Sequence, residues 1–120
     1  MSVTDFDSPF VVKFIIPDNF KKIRNMTAYV IVDVKITDPQ QYEKYKKLTP
    51  AAIAAYDGRF IVRGGESETL EGDWNPGRIV VLEFPTVHRE KEWWNSTEYS
   101  GAKIIRQMAA QTRIVVEGVR

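Results

Sequence analysis

The stretch "RFIVRGGESETLEGDWNPGRIVVLEF", residues 59–84, decides how this chain folds. Two runs of β-formers, Arg59 to Arg63 and Arg78 to Phe84, flank a connection rich in glycine and acidic residues. No helical periodicity lies between them, so they read as consecutive strands. The connection closes on Asn75-Pro76-Gly77, where proline followed by glycine suits a type II turn. Arg63 is the odd residue. It puts a guanidinium at the end of a strand built from Phe60, Ile61 and Val62, just before paired glycines.

On the N-terminal side, Ala28 to Ile36 alternates and is β-branched, the pattern of a strand. Asp38-Pro39 then supplies an N-cap with proline at the first helical position. Tyr42, Tyr45, Leu48, Ala52 and Tyr56 follow at spacings of three and four, predicting an amphipathic helix kinked by Pro50 and ended by Asp57-Gly58. On the C-terminal side, Pro85-Thr86 starts a helical region through Trp93 and Trp94, broken at Asn95-Ser96. A further helix runs from about Glu98 to Ala110, with Tyr99, Ala102, Ile105 and Met108 as its apolar face. Thr112 to Glu117 is the last strand. The order strand–helix–strand–strand–helix–strand predicts an α+β fold, the ferredoxin-like βαββαβ arrangement with an antiparallel sheet.

The domain so defined spans residues 26–120, and residues 1–25 read as an N-terminal extension. Phe10 to Ile16 within it suits an extra strand along a sheet edge. Asp5, Asp7 and the interrupting Lys13 are unlike a secretory signal, so a cytoplasmic setting is expected. A chain of 120 residues with 28% charged residues suits one globular domain. The net charge of +1 offers no field for nucleic acid or an anionic membrane. With no cysteine, thiolate chemistry and zinc–sulfur sites are excluded. The single histidine, His88, reads as a solvated surface residue. The carboxylates lack metal-ligand spacing, so neither metal nor cofactor is expected.

Strand alternation divides the sheet into two faces. Val30, Val32, Val34, Phe60, Val62, Val80, Leu82, Phe84, Ile114 and Val116 form an apolar set expected under the helices. The other set holds Tyr29, Ile31, Asp33, Arg59, Ile61, Arg63, Ile79, Val81, Glu83, Arg113, Val115 and Glu117. Its aliphatic content is too high for a wetted face, which predicts a homodimer packed sheet to sheet.

The segment from Arg59 to Pro85, with "EWWNSTEYSG" (residues 92–101) and "VVEGV" (115–119), resembles the family catalogued as domain of unknown function 1330. That family sits within the dimeric α/β-barrel superfamily, and the resemblance covers Met26 to about Val119. It maps the family's pattern onto Arg63, Gly64, Gly65, Glu71, Gly72, Arg78, Glu83, Phe84, Pro85, Trp93, Ser96, Tyr99 and Arg106. Trp94 stands where a tyrosine is usual, and Thr97 where proline is usual. The resemblance implies a ferredoxin-like protomer and a barrel-like dimer. The superfamily also holds isomerases and cofactorless monooxygenases, which implies binding, or cofactor-free transformation, of a small organic acid or oxygenated molecule.

Candidate chemistry follows from the strand ends. Asp33, Arg63, Arg78 and Arg113 are expected together at one end of the sheet, beneath the loop carrying Trp74. Guanidiniums there suit a carboxylate or enolate, because arginine presents a planar fork of donors. Ion pairing that fixes a dimer register uses the same residues and stands as the alternative. Glu83 is the candidate proton carrier, against a structural pairing with Arg59. Trp93, Ser96 and Tyr99 offer an aromatic wall with hydroxyls, with Ser96 also suited to cap the next helix. A non-catalytic dimer that senses ligands or serves in assembly is the other functional class.

Overall fold

A computed structural model describes residues 26–119. The extension expected over residues 1–25, with its edge strand, lies outside the described residues. The elements are β1 (Thr27–Ile36), α1 (Pro39–Ala54), β2 (Arg59–Arg63), β3 (Arg78–Phe84), α2 (Val87–Trp94), α3 (Thr97–Ala109) and β4 (Ala110–Val119). One antiparallel sheet takes the order β2-β3-β1-β4, with the helices over one face. This is the expected ferredoxin-like α+β arrangement.

Local chemistry starts and stops each helix. Asp38 accepts from the Gln41 amide at 3.2 Å, and Pro39 follows at the start of α1. Thr86 caps α2 through the Arg89 amide at 2.9 Å. Ser96 caps α3 through the Tyr99 amide at 3.1 Å and donates its own hydroxyl to the Trp93 carbonyl. Asp57, at φ 63°, takes the left-handed turn that ends α1, a conformation aspartate tolerates better than most residues.

Val30, Val34, Phe84 and Tyr99 are the largest side chains sealed in the core. Three details differ from the sequence reading. The inner face of α3 is Tyr99, Ala102, Arg106 and Ala109, while Met108 points outward and Ala110 already belongs to β4. In α1, Thr49 is buried while Leu48 is exposed. Gly77 does not adopt the positive φ that a type II turn requires, which is confined to Gly64 and Gly72 among the glycines of residues 26–119. Instead its amide bonds Asp33 Oδ1 at 2.8 Å, and the Val34 carbonyl occupies the space a side chain would need.

Candidate functional site

The site depends on an irregularity in β2. Arg59 pairs with Glu83 and Phe60 with Leu82, but Val62 pairs with Val81 and Arg63 with Val80, leaving Ile61 as a bulge. One extra residue reverses the alternation beyond it. Val62, expected under the helices, is turned to the outer face. Arg63, expected on the outer face, is turned toward the helices. Its guanidinium carbon lies 4.3 Å from the Phe60 ring centroid, and Nη2 donates to the Lys46 carbonyl at 3.1 Å. That carbonyl is free because its helical partner would be the amide of residue 50, and Pro50 has none.

Arg63 thereby joins Arg78 and Arg106 around a cavity between α1, α3 and the sheet. Arg78 pairs with Val34 across the β1–β3 ladder and so faces the helices too. Its guanidinium lies directly against Gly64, at φ 71°, where a β-carbon would overlap it. Arg106 is buried, at 3% exposure; it donates Nη1 to Thr112 Oγ1 at 2.6 Å and leans Nε toward the Tyr99 hydroxyl at 3.4 Å. Tyr99 and Tyr45 share a hydroxyl hydrogen bond of 2.9 Å. Burial, and then the Tyr99 hydroxyl, hold the Tyr45 phenol well above its ordinary pKa.

Apart from these groups and Thr49 the lining is aromatic and aliphatic, and among the described residues it contains four cations and no carboxylate. Lys46 is paired outside the cavity with Glu43 at 2.8 Å. Among the described residues, Arg63, Arg78 and Arg106 make no ion pair. Three buried polar atoms without hydrogen bonds belong to the same lining: Arg78 Nε, Trp93 Nε1 and Thr49 Oγ1. Thr49 Oγ1 is near enough to the Tyr45 hydroxyl to pull its pKa down somewhat, but lacks bonding geometry to it. Unsatisfied buried donors cost about 1–3 kcal/mol each, and these three cluster at one hollow. The free space is about 30 Å³.

Several residues expected together are separated by the sheet. Asp33, Trp74 and Arg113 line an open groove on the outer face, not the cavity of Arg63 and Arg78. Trp74 donates its indole N–H to Asp33 Oδ2 at 2.9 Å, and Thr69 ties the same loop through the Trp74 carbonyl. The Trp74 and Gly77 donors hold the Asp33 carboxyl below its usual range. Glu83 also lies on the outer face, bonded by Arg59 at 2.7 Å and the Tyr29 hydroxyl at 2.9 Å. Both lower its pKa, Arg59 foremost, which suits a paired carboxylate better than a proton carrier. Trp93 and Tyr99 do line the cavity, with ring centroids 4.3 Å apart. Ser96 is buried but spent on capping. His88 is exposed and 3.9 Å from Glu92.

The sequence reading missed Tyr42, Tyr45, Thr49 and Arg106 as lining residues. A signal for Arg106 was present: positions 99, 102, 106 and 109 keep helical spacing better than an all-apolar stripe through Met108 does.

The chain belongs to the family described as Domain of unknown function (DUF1330), which matches residues 27–119. Among solved structures it is similar to a protein of unknown function from Rhodopseudomonas palustris. The two share 17% identity over 88% of this chain and 95% of that one, with a TM-score of 0.68. It is also similar to SnoaB, a cofactor-independent oxygenase from Streptomyces nogalater, at 10% identity over 79% and 94% of the two chains and a TM-score of 0.52. A possible oxidoreductase from Bacteroides thetaiotaomicron matches at 13% identity over 78% and 98%, with a TM-score of 0.50. At these identities the likeness is one of fold. No curated protein is recognisably similar in sequence.

Proposed function

We propose that this protein binds a small organic acid, or a related molecule carrying an anionic oxygen, in the cavity between its helices and its sheet. The observation that carries this is the lining: among the described residues Arg63, Arg78 and Arg106 have no carboxylate partner, and they stand beside unsatisfied donors on Arg78 and Trp93. Arg63 is exposed and Arg78 half-buried, so the cost of burial falls on Arg106 and on Arg78 Nε, and an anionic ligand offsets it through charge-assisted hydrogen bonds. The aromatic walls take the carbon skeleton. Arg63 stands exposed at the cavity's edge, held among the described residues by the Lys46 carbonyl and the Phe60 ring face.

The same reading extends to chemistry without a cofactor, as in the Streptomyces nogalater protein of similar fold. Arg78 and Arg106 are suited to stabilise an enolate or other oxyanion as it forms. The Tyr45–Tyr99 hydroxyl pair, with Tyr45 kept protonated by burial, supplies a hydrogen-bond donor to such an oxygen. A binding protein without turnover is the second reading, favoured by a lining that holds no carboxylate or histidine among the described residues. In both readings the protein works as a homodimer closed over the outer face.

Thermal-shift titration with small carboxylates tests the proposal. The expected outcome is saturable stabilisation of the wild type by millimolar acid, at least tenfold weaker in Arg63→Ala and Arg78→Ala. Absence of any stabilising acid, with both variants melting like wild type, contradicts it.

A further inference from the structure

We infer that the cavity's ligand is a dianion, a short dicarboxylic acid or an acid with a second ionised oxygen, held at one end by Arg78 and at the other by Arg106. This rests on the anion-binding reading above and adds the ligand's charge and span.

The register supplies the span. Val34 of β1 pairs with Arg78 of β3 on one side and Thr112 of β4 on the other, so the three share one row on the helix-facing side. Adjacent strands lie about 4.8 Å apart, which puts the outer two backbones roughly 10 Å apart. Arg78 leans away from β1, its guanidinium packed on Gly64 next to β2. Arg106 descends from α3 and fixes its guanidinium at the far side, on Thr112 Oγ1. Val34 lies in the row between them and Tyr42 lines the same cavity. Two cationic points across an apolar bridge match two anionic groups on a short carbon chain.

Charge supplies the rest. Arg106 sits in the last turn of α3, where the helix dipole offsets part of its charge. No carboxylate among the described residues is bonded to either guanidinium, and the acid that Arg78 influences, Glu43, is exposed and bonded to Lys46. Lys103 is held below the usual lysine range by burial first and by the Arg106 charge second. A monoanion neutralises one end and leaves the other bare; a dianion serves both. The free space of about 30 Å³ has room for about two waters, so the ligand is short and needs the lining to give way, with exposed Arg63 the cation least enclosed by it.

Calorimetric titration at pH 7.5 and constant ionic strength tests this, with malonate, succinate and glutarate set against propionate, butyrate and valerate. The best dicarboxylate is expected to bind at least tenfold more tightly than the monocarboxylate of equal length. Arg78→Met, checked for an unchanged circular-dichroism spectrum, is expected to lose that preference. Arg106→Lys keeps the charge but not the fork and is expected to narrow it. Equal binding of the two series, or a preference that survives Arg78→Met, overturns the dianion while leaving an anion-binding cavity. Failure of every acid to bind the folded wild type overturns the reading beneath it.

Discussion

Pro50 has no amide proton, and the carbonyl of Lys46 one turn earlier is turned over to Arg63. A residue that sequence rules mark as a helix defect thus supplies the acceptor that holds a guanidinium at the cavity mouth. Pro50→Ala restores the helical hydrogen bond. Against a proline penalty of about 3 kcal/mol in a helix interior, the lost Arg63 bond is worth about 1 kcal/mol. The variant is therefore expected to melt several degrees above wild type while binding acids several-fold more weakly, read by calorimetry and titration on the same samples. A variant that melts higher with unchanged affinity would detach Arg63 from ligand binding. The sequence pointed at Arg63 as an anomaly but put it on the wrong face, because alternation counts residues and cannot see that Ile61 is extruded from the ladder.

At the scale of elements, α2 buries Glu90 at 5% exposure, and burial raises its pKa to about 7. The unfolded chain loses this proton near the ordinary value of 4.5, while the folded chain keeps it until near 7. The group therefore costs nothing below pH 4.5, costs progressively more as pH rises toward 7, and its penalty is constant above that. Glu90→Gln is expected to be about 2–3 kcal/mol more stable than wild type at pH 8, with the gain vanishing at pH 4.5. Denaturant midpoints across that window check it; parallel profiles would mean the carboxyl is already ionised in the fold. Element types and order were legible because caps such as Asp38, Thr86 and Ser96 and the β-branched runs act locally. The inner faces of α1 and α3 were less so. Thr49 and Arg106 are polar residues facing a mostly apolar cavity, and a search for apolar stripes passes over them.

At the scale of the molecule, the outer face leaves Ile31, Ile61 and Val115 exposed, with the Arg59–Glu83 pair and Asp33–Trp74 contact beside them. In the homodimer proposed here this face meets its copy. Light scattering is expected to give twice the 13.8 kDa chain mass for wild type and the single mass for Val115→Asp. A monomeric wild type would remove the dimer and leave the cavity untouched, since its lining comes from one chain. That independence separates this account from the sequence reading, which had set the pocket on the sheet's outer face and so tied it to the partner.

Entry of an acid into the cavity of Arg63, Arg78 and Arg106 is reported directly by the chain's tryptophans. Trp93 Nε1 lines that cavity without a partner, while Trp74 is bonded to Asp33 on the opposite face. In a ¹⁵N-labelled sample titrated with succinate, the Trp93 indole resonance should move saturably downfield as it gains an acceptor. The Trp74 resonance should stay still. A titration that leaves Trp93 in place, or that moves Trp74 instead, would contradict the account.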